Sequence, residues 1–234
     1  MQVKICGITQ VEQALAIAEL GATSLGFICV PQSPRYVTPA ALTPITQALA
    51  ASDRPVTTVG VFANADLSQM VARVQQSQLQ AVQLHGTEPI DQCQQLRQRL
   101  PHTKLIKAIR VRQADDLTLA HTYAPHVDAL LLDAYHPDQL GGTGLTLDWQ
   151  ALQTFAPSCP WWLAGGLTPA NVAQALSTLS PQGPQGIDLS SGVEVQPGLK
   201  DMALVRQLFR QLAPWLSALP QQPWAPALPQ DRAS

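Results

Sequence analysis

Ile187-Asp188-Leu189-Ser190-Ser191-Gly192-Val193-Glu194 is a short apolar strand that runs straight into a Ser-Ser-Gly turn. A turn of that composition presents bare backbone N–H groups to an anion. A second glycine-bearing turn, Ala164-Gly165-Gly166-Leu167-Thr168, follows the strand Trp161-Trp162-Leu163 just upstream. Two such turns on successive strands, late in a chain that alternates strand and helix, read as a phosphate cradle at the mouth of a (β/α)8 barrel. The expected ligand is a small phosphorylated molecule.

Working outward, eight strand-like runs appear at Gln2–Cys6, Ser24–Cys29, Thr57–Phe62, Ala81–His85, Leu105–Ile109, Asp128–Asp133, Trp161–Ala164 and Gly186–Ser190. Segments of helical period lie between them, such as Val11–Leu20, where Leu15, Ala18 and Ala22 fall near one face and Gly21 ends the helix. Thr38-Pro39 and Thr168-Pro169 each place a cap residue before a first-turn proline. The fold class is α/β, a single (β/α)8 TIM barrel over 1–212, with the open doubly wound sheet as the alternative. Strand parity predicts that Val3, Ile5, Val59, Val61, Val82, Leu84, Ile187 and Leu189 face the helices. Cys6, Phe62, Gln83, His85, Asp133, Asp188 and Ser190 then point inward, several of them at the rim where such barrels keep their chemistry. After a helix expected over Met202–Leu212, residues 213–234 turn to Pro, Gln and Ala and read as an extended tail, which Trp215 and Trp224 could pin to the barrel.

Composition narrows the partners. Of 234 residues, 46% are hydrophobic, which excludes a disordered chain. Charged residues are 13% and the net charge is −2, so nothing provides a basic field for nucleic acid. No apolar run approaches the ~18 residues that span a bilayer, so no membrane partner is expected. The strand entered at Met1-Gln2-Val3-Lys4-Ile5 leaves no room for a signal peptide. Cys6, Cys29, Cys93 and Cys159 are scattered, with no CxxC and no metal-ligand spacing. A cytoplasmic setting with reduced thiols is expected, although scattered cysteines could pair.

Four side chains are candidates for chemistry. Cys6 ends the first strand and is either a catalytic thiol or an ordinary buried cysteine. Asp133 closes the run Ala129-Leu130-Leu131-Leu132-Asp133, where an unpaired carboxyl is rare, so it is functional or it caps the next loop. Arg35, in Ser33-Pro34-Arg35-Tyr36, suits a carboxylate or is a plain surface arginine. His85 reads as substrate-lining or structural rather than as a proton carrier.

Lys4-Ile5-Cys6-Gly7-Ile8-Thr9, Gly26-Phe27-Ile28 with Ser33-Pro34-Arg35-Tyr36, Val82-Gln83-Leu84-His85-Gly86, Leu131-Leu132-Asp133, Gly141-Gly142-Thr143-Gly144, Leu163-Ala164-Gly165-Gly166-Leu167 and Asp188 to Glu194 occur in this order, each at a strand end. In that series the chain resembles the phosphoribosylanthranilate isomerase family of tryptophan biosynthesis. The resemblance implies a cofactor-free and metal-free Amadori rearrangement of phosphoribosylanthranilate, an aminoaldose, to an aminoketose. It implies Cys6 as base and Asp133 as acid, with Arg35 holding the anthranilate carboxylate. Gln83 and His85 line the substrate, and Asp188 lines the anthranilate end or supports the nearby turn. Gly142, Thr143, Gly144, Gly165, Gly166, Ser190, Ser191 and Gly192 are the implied phosphate-binding residues. A monomer and a homodimer are both compatible with it. Two other readings stand beside it. One is a phosphosugar barrel of the histidine pathway, disfavoured by a single evident cradle and by Cys6 where a carboxylate would be expected. The other is a non-catalytic scaffold, which has no need of both Cys6 and Asp133.

Overall fold

The computed structural model describes residues 1–134, 149–179 and 183–216. Eight parallel strands close into a barrel in sequence order: β1 Gln2–Cys6, β2 Ser24–Ile28, β3 Thr57–Phe62, β4 Ala81–Leu84, β5 Lys104–Val111, β6 Ala129–Ala134, β7 Trp161–Ala164 and β8 Gly186–Leu189. The closure is β1 against β8, with Lys4 opposite Asp188. Helices α1 Val11–Glu19, α2 Pro39–Ala50, α3 Leu67–Gln76, α4 Ile90–Arg99, α5 Ala114–Tyr123, α6 Val172–Leu179 and α7 Met202–Leu216 cover the outside. Between β6 and β7 the described residues hold a 3-10 turn, Trp149–Leu152. A hairpin of β9 Glu194–Gln196 and β10 Leu199–Lys200 follows the eighth strand.

Local chemistry explains most of these boundaries. Thr38 caps α2 by accepting the Ala41 N–H, with Pro39 in the first turn. Gly21 takes φ +107 just past α1, where a side chain would be strained. The buried face of α1 is Ala14, Ile17 and Ala18, whereas Leu15 is only partly buried. The Thr168-Pro169 segment forms a turn, and α6 begins at Val172. The side chain of Asn171 accounts for that delay, because it accepts from the Thr168 N–H at 2.8 Å and donates to the Gly166 carbonyl at 2.9 Å. At the other end α7 runs through Pro214 to Leu216, four residues past the expected stop, and Trp215 packs partly buried against the core.

The core has two layers. The outer layer, between barrel and helices, takes Val3, Ile5, Phe27, Val82, Leu84, Ile187 and Leu189, all buried. The inner plug is Val59, Ala81, Ile106, Ala108, Leu131, Trp162 and Ala164. Gly186 makes room for it, since a Cβ there would stand 2.8 Å from the Trp162 ring. Each fully buried large side chain contributes roughly 1.5–3 kcal/mol.

On β3 the parity is the reverse of the expectation. Val59 belongs to the inner plug, Val61 lines the cleft at the barrel mouth, and Phe62 packs outward. A parallel strand buried on both faces is apolar at both parities, so alternation carries no direction. Gly60 supplies the physical reason: a Cβ there would lie 2.7 Å from Leu79 and 2.9 Å from the Phe62 ring, so the outer face needs the space.

One buried ion pair fixes the loop after β4. Lys107 on β5 points outward and donates to the Gly86 carbonyl at 2.7 Å and to Glu88 Oε2 at 2.8 Å. The Glu88 carboxylate also accepts the Asn64 N–H at 2.8 Å and the Gly86 N–H at 3.0 Å. Both side chains are at most 3% exposed. His85 immediately precedes Gly86, which this clamp holds.

Candidate active site

The C-terminal strand ends open into a cleft of about 350 Å³. Its wall brings together Cys6, Arg35, Gln83, His85, Asp133, Gly165, Gly166, Asp188, Ser190, Ser191 and Gly192. Gly142, Thr143 and Gly144 lie outside the described residues. Among the described residues no group of three or more His, Cys, Asp and Glu side chains converges as a metal ion would require.

Cys6 ends β1 and is 6% exposed. Two residues back, on the same inward face, Lys4 is fully buried and its Nζ donates to Asp188 Oδ2 at 2.9 Å. The register sets Cys6 opposite Gly26, whose added Cβ would stand 2.7 Å from the Cys6 Sγ and 3.1 Å from the Lys4 Cε. Glycine there lets the thiol and the lysine share one space. Burial pushes the Cys6 thiol up; Lys4 is the largest influence pulling it down, Asp188 opposes, and Lys200 assists. Burial works to lower the Lys4 ammonium, yet Asp188 and then Cys6 hold it above its ordinary 10.5. Burial also raises the Asp188 carboxyl, against the pull of Lys4. The 2.9 Å contact with an enclosed ammonium decides for the ion pair.

Asp133, at the end of β6, lies with its Oδ2 3.3 Å from His85 Nε2. His85 Nδ1 is 2.9 Å from the Gln83 amide nitrogen. Gln83 thus holds one ring nitrogen of His85 and Asp133 the other. His85 is therefore the hydrogen-bond partner of Asp133, a contact that the sequence does not announce.

Arg35 follows β2 in a loop held by its own N–H donating to Ser33 Oγ at 3.1 Å. Its Nε and Nη2 donate to Glu194 at 3.0 and 2.6 Å. Glu194 thus takes one edge of the guanidinium and leaves the Nη1–Nη2 edge for a ligand. Glu194 also accepts from Lys200 Nζ at 2.7 Å, and Lys200 donates onward to the carbonyls of Cys6 and Ser190. The two glycine turns meet here: Gly165 and Gly166 take φ +85 and +62, and a Cβ on Gly192 would collide with the Leu167 carbonyl. Only glycine lets the two backbones pack this closely.

The match to known proteins fits this geometry. The family model described as N-(5'-phosphoribosyl)anthranilate (PRA) isomerase covers residues 3–211. The chain belongs to the N-(5'-phosphoribosyl)anthranilate isomerase family. A relative of that name from Nostoc punctiforme is 56% identical over 212 residues, 91% of this chain and 98% of the relative. The crystal structure of the Thermotoga maritima phosphoribosyl anthranilate isomerase is 35% identical, with a TM-score of 0.79 over 92% of this chain and 99% of that one. Another phosphoribosyl anthranilate isomerase structure holds reduced 1-(o-carboxyphenylamino)-1-deoxyribulose 5-phosphate. It is 33% identical, with a TM-score of 0.77 over 92% of this chain and 99% of that one.

In this member of the isomerase family, Lys4, Asn171, Glu194 and Lys200 complete the surroundings of the cleft without having been singled out by type. Lys4 had a usable signal, because the parity that turns Cys6 inward turns Lys4 inward too. Glu194 and Lys200 flank Gln196-Pro197-Gly198, a turn signal that a hairpin reading would have caught.

The Glu194 cluster makes a testable acid response. Burial alone would raise this carboxyl, but Arg35 and Lys200 hold it below its ordinary 4.5. A depressed folded-state value means that its stabilisation is complete above the unfolded value and is lost as pH falls through the folded one. The Tm gap between the native protein and Glu194→Gln is expected to be widest near neutrality and to close as pH drops below 4.5. Thermal melts across that range measure it, and a constant gap would remove Glu194 from the acid response.

Proposed function

We propose that this chain catalyses the cofactor-free Amadori rearrangement of N-(5'-phosphoribosyl)anthranilate to 1-(o-carboxyphenylamino)-1-deoxyribulose 5-phosphate, a step of L-tryptophan biosynthesis. The observation that carries the reading is a thiol and a carboxyl, Cys6 and Asp133, on the wall of one cleft edged by glycine turns. The ligand held by the structural relative carries the phosphate and the carboxylate that turns and an arginine suit.

Asp133 gives its proton to the ribose ring oxygen as the C1′–O bond breaks, and the amine lone pair forms the C1′=N iminium. Cys6, as thiolate, takes the proton from C2′; the C–H pair becomes C1′=C2′ and the iminium pair returns to nitrogen. The enolamine then loses its O2′ proton and gains one at C1′ to give the ketone. Each proton transfer needs a group within hydrogen-bond reach, and a cleft of about 350 Å³ brings Cys6 and Asp133 to one wall. Arg35 takes the anthranilate carboxylate on its free guanidinium edge, with Gln83, His85 and Asp188 lining the substrate. The phosphate lies on the N–H groups of Gly165, Gly166, Ser190, Ser191 and Gly192, together with Gly142, Thr143 and Gly144.

We assign residues 1–212 to the catalytic barrel and 213–234 to an extension whose first four residues continue α7. None of the described helices is long and apolar enough to cross a membrane. All four cysteines are free, which suits a reducing cytoplasm, and the protein works as a monomer or a homodimer.

Freshly generated phosphoribosylanthranilate, followed by the loss of its fluorescence with spontaneous breakdown subtracted, tests the reading. Turnover is expected. A folded protein that binds a phosphorylated ligand without turnover would transfer the cleft to another phosphosugar. Gly192→Ala forces apart the two turns and is expected to raise KM about tenfold or more, the equivalent of ~1.4 kcal/mol of lost binding. An unchanged KM would take the phosphate away from that turn.

A further inference from the structure

We propose that Lys4 is the positioning residue of the base: its buried ammonium, shared between Asp188 and the Cys6 sulfur, supplies the positive charge that a thiolate in this cleft requires. The proposal rests on the reading of Cys6 as base.

Lys4 lies inside the barrel at 0% exposure, on the inner side that also holds the apolar plug of Val59, Ile106, Leu131 and Trp162. An ion pair in such a place is weak evidence for stability, because well-packed apolar side chains usually do as well. The pair sits one pleat below the proposed base, and Gly26 keeps the space between thiol and lysine open.

The charged and titratable groups around Cys6 can be told apart by what their protons already hold. Lys200, on β10, donates to the Cys6 carbonyl, the Ser190 carbonyl and Glu194 Oε1, which uses its three N–H donors. Arg35, after β2, is bound along one edge to Glu194. Cys29 lies just past β2, and burial pushes its thiol up to about 11. Asp188, on β8, is an anion and opposes a thiolate. Lys4 Nζ donates to Asp188 Oδ2 and keeps further N–H donors for the sulfur, whereas the free edge of Arg35 is the one assigned to the anthranilate carboxylate. It keeps its own proton throughout: the proton from C2′ goes to the sulfur, the ammonium stays charged, and the thiol formed is neutral.

The test is the pH dependence of Cys6 alkylation by iodoacetamide, read from the mass of the peptide that carries it, with Cys6→Ala as the blank. Lys4→Met is expected to move the alkylation midpoint up by about one pH unit or more. The acid limb of kcat/KM should move with it. Lys4→Arg, which keeps the charge, should stay near the native midpoint. A folded Lys4→Met protein with the native midpoint would overturn the proposal. If Asp188, left alone, prevents folding, Lys4→Met combined with Asp188→Asn removes both charges. Its midpoint is still expected above native, because Lys4 outweighs Asp188 at the sulfur; a native midpoint there overturns the proposal equally. Turnover that survives Cys6→Ala would instead sink the base reading, whatever the alkylation midpoints show.

Discussion

Cys6→Ala and Asp133→Asn are each expected to lower kcat by roughly 10²- to 10⁴-fold, the range that a positioned acid or base supplies. The two losses should differ in kind. Without the Asp133 proton the furanose stays closed, so the block falls before any C–H bond is touched. Substrate deuterated at C2′ should then show a smaller isotope effect in Asp133→Asn than in the native enzyme. Without the Cys6 sulfur the ring still opens and the C2′ proton stays in place. Neither change should unfold the chain. Asn at 133 can still meet His85 Nε2, and Ala at 6 removes one sulfur beside a cleft already open to solvent. Full activity in either folded variant would end the assignment of that residue.

The second large effect is on stability. Glu88→Ala is expected to cost about 3–5 kcal/mol, since it leaves the Lys107 ammonium enclosed without its counter-charge. It also removes the acceptor of the Asn64 and Gly86 N–H groups. Against a total stability of roughly 5–15 kcal/mol, that is a large share. Urea unfolding measures it. A loss under about 1 kcal/mol, the size of a surface pair, would mean that water reaches Lys107 in the native state. Replacing both partners, with Lys107→Met and Glu88→Leu, should recover part of the loss, because no unpaired charge then stays behind.

The closed α/β barrel was legible because glycine turns and apolar runs recur at strand–helix spacing, and these are local signals. So were most of the cleft residues, which come late in their strands. What depended on a partner far along the chain was not legible. Val59 and Val61 could face either way until Gly60 was seen to make room for Leu79 and Phe62. Arg35 looked free in its loop, and only the fold brings Glu194 to it from 159 residues away. His85 gave no sign of Asp133, because a hydrogen bond that reaches from the end of β4 past β5 to the end of β6 leaves no mark on either local sequence. The helix end at Leu216 was misplaced for another reason: Pro214 reads as a stop, yet α7 runs two residues past it at the loss of one backbone hydrogen bond near its end.

The seam between the first and last strands has a consequence for how the enzyme comes into being. Cys6 leaves the ribosome long before two of the charged groups around it: Asp188 is 184 residues from Lys4, and Lys200 is 194 from Cys6. Contacts of such long range form late, after the cost of closing a loop of nearly the whole chain has been met. A nascent chain of seven strands has two bare edges and a cysteine that has Lys4 beside it but lacks Asp188 and Lys200. Catalysis is thus a reporter of ring closure, and turnover during refolding should lag behind the recovery of helix and strand signals.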